Sequence, residues 1–351
     1  MMTYPRNQLS IAITWLRFPL IFLVILLHGY SVIQIPGSHT TYFKFVYPFA
    51  LWLGETGVPG FFFISGLLFF LSSKTYLGKI KARCHSLLIP YLLWNALLLA
   101  AYVAALALGY PQDINGKNMA DFVWTDYLRL FWDRGSYDYG NFVPLLCPYW
   151  YIRNLLILSL ISPVIYLLNR YLRELYLLAI TIWWIQTPHN AFIPQSILFF
   201  SLGAYFSIHD RNPLSLFCQH KTLFISLCIL LAGTDFITHT ESPTVINLQI
   251  HRLSLISNIP VFFLLANHIT SKGILSPIES YLSNAAFFVF SIHYPIVVVL
   301  RKGCIQLFSS SNDFIQILLY FTCVIITTLL SLFFYHIMPT KIKIILSGNR
   351  T

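Results

Sequence analysis

Charge is what this chain has least of. Only 10% of its 351 residues are Asp, Glu, Lys or Arg, against about 25% in soluble domains. With 57% hydrophobic residues and a mean hydropathy of +0.70, that deficit excludes a soluble globular protein and leaves an integral membrane one. Acidic residues are scarcer still, 12 against 22 Lys and Arg. The resulting charge of +10 does not point to nucleic acid, because the cations are scattered over short loops between apolar runs. No long hydrophilic stretch is present, which excludes a separate soluble domain within residues 1–351 and makes them one membrane domain. No small-residue cleavage site follows the first apolar run, which is too long for a signal-peptide core, so it is expected to stay in the mature protein. The six cysteines, Cys84, Cys147, Cys218, Cys228, Cys304 and Cys323, show no paired metal-ligand spacing. No histidine–carboxylate spacing suggests a metal site, so none is expected. Cys147 and Cys304 fall on one side of the topology below, which leaves a disulfide between them open.

What the chain has in quantity is apolar length. Ten runs, at about 11–33, 51–71, 87–109, 150–168, 174–187, 191–208, 222–239, 253–270, 282–300 and 314–338, compare with the 17–25 residues that cross a bilayer core. They predict an all-α, polytopic helix bundle of about ten transmembrane helices, the short fifth run being tilted or re-entrant. Loops on the N-terminal side hold thirteen Lys and Arg and the opposite loops seven. The positive-inside rule then puts both termini in the cytoplasm of a multi-pass cell (inner) membrane protein, with His28 toward the outer face. The longest outer loop, about 110–149, holds Asp113, Asp121, Asp126, Asp133 and Asp138. Phe122, Tyr127, Leu128 and Phe131 recur there at helical spacing and predict an amphipathic helix between Met119 and Trp132, anchored by Trp124 and Trp132. It either caps a cavity or lies on the surface with no part in binding.

Two ionisable residues interrupt the first apolar run, Arg17 and His28. Polar groups at membrane depth are costly and face bundle interiors or polar cavities. Eleven positions apart, they return to nearly one helix face, about 16 Å apart along the axis. His28 can take a proton from a hydroxyl and return it; the alternative is a histidine hydrogen-bonded between helices. Gly57, Pro59 and Gly60 are expected to interrupt the second span before Phe61-Phe62-Phe63-Ile64-Ser65-Gly66. Ser65 can donate to a bound group there, and Gly66 permits close approach of a ligand or another helix. Glu55, just outside that motif, either orients an acceptor hydroxyl or is a solvated carboxylate.

Lys79, Lys81, Arg83 and His85 precede Pro90 and Tyr91 of the third span. Cations at a membrane entrance suit an anionic ligand bearing phosphates, although positive-inside topology alone also places cations there. Arg83 stands closest to the span and is the first choice for contact. Trp150-Tyr151-Ile152-Arg153-Asn154 opens the fourth span; Arg153 can pair with a substrate carboxylate, a neighbouring helix or a lipid phosphate, and the aromatics can form an interfacial belt. His293, in the ninth span, is a second intramembrane imidazole, structural or functional. His39, His189, His239, His251 and the remaining histidines lie near span ends or in loops, where solvation accounts for them.

In that order along the chain, these segments resemble the membrane acyltransferase 3 family. Arg17 and His28 match its arginine, ten residues, histidine pattern. Phe61 to Gly66 match its two phenylalanines, two variable residues, serine, glycine pattern. Lys79 to Arg83 with Pro90, and Trp150 to Leu155, resemble its basic loop and its tryptophan-tyrosine-leucine-arginine segment. The resemblance covers nearly the whole chain. It departs in the basic loop, which lacks the closely spaced arginine pair of many members, and no appended soluble domain is expected. The resemblance implies transfer of an acyl group, often acetyl, from acyl-CoA as co-substrate to a hydroxyl of a cell-envelope carbohydrate or lipid-linked glycan, with no bound cofactor. It implies His28 as general base or transient acyl acceptor, Arg17 as guide for the donor arm and Ser65 as oxyanion donor. Lys79, Lys81 and Arg83 would hold donor phosphates; Trp150, Tyr151, Arg153, His293 and Glu55 complete the expected substrate contacts. A transporter or flippase for a lipid-linked glycan is the alternative from another class, although no internal repeat relates two halves of the chain.

Overall fold

A computed structural model describes residues 6–30, 40–135, 142–187, 192–240, 243–308 and 312–348. Helix α1 (Arg6–Tyr30) is hydrophobic nearly all round, as a helix inside a bundle must be. Ala12, Leu16, Leu20, Val24 and Ile25 are at most 1% exposed. Helices α2 (Thr40–Tyr47) and α3 (Gly54–Leu71) run together through a π-helical stretch, Pro48–Leu53. Helices α4 (Tyr76–Arg83) and α5 (Ile89–Ala107) join the same way through Cys84–Leu88. Pro90 explains the second wide turn: its ring crowds the carbonyl four residues back, that of Ser86, and it has no N–H to offer it.

A short hairpin, β1 (Asp113–Ile114) with β2 (Lys117–Asn118), leads to α6 (Trp124–Arg129). Then follow α7 (Trp150–Leu160), α8 (Ser162–Tyr171), α9 (Arg173–Gln186), α10 (Phe192–Ile208) and α11 (Pro213–Gln219). The chain closes with α12 (Lys221–Thr238), α13 (Val245–Ile269), α14 (Pro277–Phe308), α15 (Asp313–Ile337) and α16 (Thr340–Leu346).

The all-α membrane bundle is as expected, but its spans count differently. Among the described residues 7 helices are long and apolar enough to cross, or up to 9 if two bent pairs each count as one span. Those pairs are α7 with α8, bent by 68°, and α10 with α11, bent by 95°. Pro163 and Pro213 sit at the start of the second helix of each pair, where proline is tolerated but the preceding helix cannot continue. The short fifth run is α9, only 14 residues, too short for an untilted crossing.

Side-chain contacts fix which ends lie together. Gln8 donates to the Thr270 carbonyl (3.1 Å) and Trp15 to Glu279 (3.0 Å). Trp94, in the first turns of α5, donates to the Leu346 carbonyl (3.1 Å). At the opposite end the Asp313 carboxylate accepts from the Thr41 and Tyr42 amides, each at 3.1 Å. The start of α1 and the final helix therefore share one end of the bundle.

Gly57, Pro59 and Gly60 do not break the second span; all lie inside the continuous α3. A Cβ on Gly57 would stand 2.8 Å from the Leu20 carbonyl oxygen, so this glycine admits α1 at close range. Gly66 likewise receives α10, its added Cβ falling 2.0 Å from the Phe200 oxygen. The amphipathic helix expected from Met119 to Trp132 is only a turn at Met119–Asp121 and the six-residue α6. The polar punctuation favours turns: Asp126 accepts from the Val123 amide (2.9 Å) and from Lys117 (2.7 Å), and Lys117 holds its carboxyl below the usual carboxylate range. Ile114, Met119, Leu130 and Leu145 pack this loop against α5 in a small separate core. Finally, no disulfide joins any two of the six cysteines, and Cys304 has Cys323 as its sulfur neighbour at 3.4 Å rather than Cys147. His39, Asp138, His189 and Arg350 lie outside the described residues.

Candidate active site

Two cavities abut inside the bundle. The smaller, about 160 Å³, is walled by Arg17, Ser65, Arg83 and Tyr151 with Ser283 and Asn284. The larger, about 450 Å³, is walled by His28, Glu55, Trp150, His239, His251 and Arg252. Each shared element divides between them. Helix α1 gives Arg17 and Ile21 to the smaller and Val24 and His28 to the larger; α3 gives Phe61 to the first and Val58 to the second. Trp150 and Tyr151, adjacent in sequence, face different cavities, and Phe290 lines both. The partition is thus about one helical turn thick, roughly 5 Å.

In the smaller cavity the Arg83 guanidinium donates to the Ser65 carbonyl at 3.5 Å and lies over the Phe69 ring, 5.7 Å from its centroid. Lys79 lies over the same ring at 5.2 Å, and Lys81 is exposed. The Ser65 hydroxyl is 3.4 Å from the Tyr151 hydroxyl, whose ring is set edge-on against Phe62 at 4.7 Å. Arg17 and Arg83 therefore line one chamber, and the other two basic residues lie toward its α4 side.

In the larger cavity the His28 ring lies 5.3 Å from that of His293 and 5.1 Å, edge-on, from Tyr294. His293 is fully buried. Its Nδ1–H donates to the Phe290 carbonyl at 2.6 Å, which leaves Nε2 as the lone-pair nitrogen, with no hydrogen-bond partner among the described residues. It stands behind His28 rather than in the cavity wall. Trp150 stacks flat on Phe192 at 3.9 Å, giving the chamber a rigid aromatic side.

The far wall carries residues that the sequence reading set aside. His251 Nδ1 lies 2.8 Å from Asp235 and its Nε2 3.3 Å from Glu55. With a carboxylate on each nitrogen, both nitrogens donate, the arrangement of an imidazolium. Tyr47 donates to Asp235 at 3.0 Å, and Asp235 is wholly buried. Arg252 donates to the Ile185 carbonyl at 3.1 Å and to those of Trp184 and Thr187, closing the C-terminal end of α9. Solvation does not account for His239 and His251: His251 is buried and His239 half-buried, with side chains 7% and 8% exposed. The missed signal was Asp235 and His239 four residues apart near the end of α12, one face of one helix. Ligand atoms of Asp235, His239 and His251 lie within 4.8 Å of one another, a spacing that can hold a metal ion. The Tyr47 hydroxyl, about equally close to Asp235 and to His251 Nδ1 (3.0 Å), already takes up the Asp235 and His251 atoms as hydrogen-bond partners, whereas His239 Nδ1 has no hydrogen-bond partner among the described residues.

Arg153 lines neither cavity. It donates to the Trp132 carbonyl (2.8 Å) and to the Asn154 side chain (3.0 Å), with its guanidinium over the Trp132 ring at 5.0 Å. It ties the loop to α7. Arg153→Ala is expected to cost about 1–3 kcal/mol, because a charge-assisted bond and a buried stack go together. A thermal melt in detergent checks this; an unchanged midpoint would deny Arg153 the tie.

The acyltransferase-domain family profile matches residues 10–336 of this chain. A curated relative, the succinoglycan biosynthesis protein ExoH of Rhizobium meliloti (strain 1021), is 26% identical over 266 residues, 71% of this chain and 68% of the relative. No solved structure matches.

Proposed function

This chain belongs to the acyltransferase-domain family, and from that premise we propose that it moves an acyl group, acetyl in the first instance, from acyl-CoA to a hydroxyl of a cell-envelope polysaccharide. The observation that carries this reading is the division of α1: Arg17 faces one cavity and His28 the other, across a partition one turn thick. A donor and an acceptor can thus approach from opposite sides and meet at the bundle centre. The relative's part in succinoglycan biosynthesis supports a polysaccharide acceptor.

In this reading the donor's phosphates rest on Arg83, with Lys79 and Lys81 at the entrance. The acyl thioester extends past Arg17 to the partition, and the sugar hydroxyl sits beside His28. His28 takes the hydroxyl proton as the oxygen bonds to the thioester carbonyl carbon. Ser65 donates toward the oxyanion, which is worth most in a chamber shielded from water. The C–S bond then breaks, and the departing thiolate takes the proton back from the His28 imidazolium, leaving ester and CoA thiol. Cations concentrate at the Arg83 end, which supports placing that end and both termini in the cytoplasm, where acyl-CoA is supplied.

The test is transfer of label from radiolabelled acetyl-CoA to a cell-envelope glycan extract by the purified protein. Arg83→Ala is expected to raise the donor KM about 10–100-fold, the loss of a charged hydrogen bond. Lys81→Ala, at an exposed position, is expected to change it less than about threefold. Equal effects would remove the distinction on which the donor path rests, and no transfer by the wild type would remove the activity.

A further inference from the structure

The larger cavity is more than an open space beside His28. Glu55 engages His251 through Oε2 at 3.3 Å, yet its side chain stays 34% exposed in the cavity wall. The imidazole that holds it is itself anchored on Asp235 at 2.8 Å, and Asp235 is wholly buried and also receives Tyr47. Such a chain fixes the carboxylate's direction, since turning Glu55 away would strip a buried imidazolium of one partner. Among the described residues, the two cations of this wall are already engaged within the protein, Arg252 standing near enough to Glu55 to feel its charge. His251 directs its N–H groups at Asp235 and Glu55, and Arg252 directs Nη1 at three backbone carbonyls at the end of α9. Flat aromatic surfaces complete the lining, Trp150 stacked on Phe192, with Trp184 beneath the Arg252 guanidinium at 5.6 Å.

We propose that this wall selects neutral glycosyl units and rejects uronic-acid ones, with Glu55 as the specificity-determining residue. The inference rests on the acyl-transfer reading for its biological sense, but it concerns binding alone. A fixed carboxylate oxygen accepts hydrogen bonds from sugar hydroxyls, and the aromatic faces cover the apolar C–H face of a pyranose ring. A ligand carboxylate would face Glu55 while the described cations of the wall, His251 and Arg252, are bonded within the protein, and like charges brought together in a partly dry site cost several kcal/mol. At about 450 Å³ the chamber is in the range of small-molecule sites.

Binding of methyl glycosides of glucose, galactose and mannose, each against its uronate counterpart, tests this by saturation-transfer NMR with the protein in nanodiscs. Each pair differs only by CH2OH against carboxylate. The expected result is at least about tenfold tighter binding of the neutral member in every pair that binds. In Glu55→Gln, which keeps the shape and removes the charge, that preference should fall to within about threefold, mainly through gained uronate affinity. A thermal melt of the same sample shows that the variant is folded. Equal or tighter uronate binding by the wild type, an undiminished preference in Glu55→Gln, or no binding of any neutral glycoside would each overturn the proposal. Acyl transfer assayed on the same wild-type sample separates the readings: selective binding without transfer would count against the proposed reaction and leave the specificity intact.

Discussion

His28→Ala should lose acyl transfer by at least about 10³-fold in kcat while remaining folded. Both halves of that result follow from where the side chain sits. His28 belongs to the wall of an existing cavity, so trimming it enlarges a chamber already open rather than creating a sealed void. The large cavity penalty of a core truncation is therefore absent, and the thermal midpoint should move by only a few degrees. Chemically the loss is near complete, because the described wall offers no equivalent base at that place. His293 is 5.3 Å away ring to ring, but it stands behind His28 and is bonded through Nδ1 to the Phe290 carbonyl. His251 is held between Glu55 and Asp235. His293→Ala, by contrast, should cost about tenfold, since it supports His28 and does not reach substrate. Initial rates and melting curves on the same preparations decide the matter. A folded His28→Ala retaining a tenth of the wild-type rate would take the base away from this position.

The second large effect is structural. Gly203→Ala should fail to yield a stable protein, or lower its thermal midpoint by about 10 °C or more. The added Cβ would sit 1.9 Å from the Phe63 carbonyl oxygen and 2.8 Å from the Leu67 amide nitrogen. Both obstacles are backbone, so no side-chain rotation relieves the clash, and α10 must separate from α3. Overpacking of this kind costs about 3 kcal/mol or more. The damage would also reach the smaller cavity, because Ser65 and Phe61 lie on the same helix as Phe63. Gly233 is the matched control: it is also mid-helix, in α12, but nothing lies within 4 Å of its added Cβ. Gly233→Ala should be neutral or stabilising by about 0.5–1 kcal/mol through helix propensity. Similar losses in both variants would mean that the α3–α10 contact is not specially close.

Much of this was legible in the sequence, for identifiable reasons. Arg17 and His28 share one helix, so their common face follows from spacing alone; that the two ends of this face open into different cavities needed the other helices. Gly66 was readable as a packing or ligand residue, and only the position of the Phe200 carbonyl decides for packing. Hydropathy found the apolar runs but could not see that α7 and α10 end in sharp bends, since a window average is blind to direction. The loop between α5 and α7 was misread because aromatic recurrence resembles a helical face, while local side-chain bonds such as Asp126 to the Val123 amide favour turns. The least legible feature was the wall built on Asp235, His251 and Glu55. Its members come from α12, α13 and α3, separated by 196 positions between Glu55 and His251. No local pattern unites residues that only tertiary packing brings together.

In the proposed reaction donor and acceptor meet across the membrane at the Arg17–His28 face. The most direct measurement uses proteoliposomes of defined orientation, with radiolabelled acetyl-CoA and a cell-envelope glycan extract confined to opposite sides. Label should appear in the glycan only when acetyl-CoA is on the side of Arg83 and the glycan on the side of His28. Transfer with the sides exchanged, or with both substrates confined to either side alone, would contradict it.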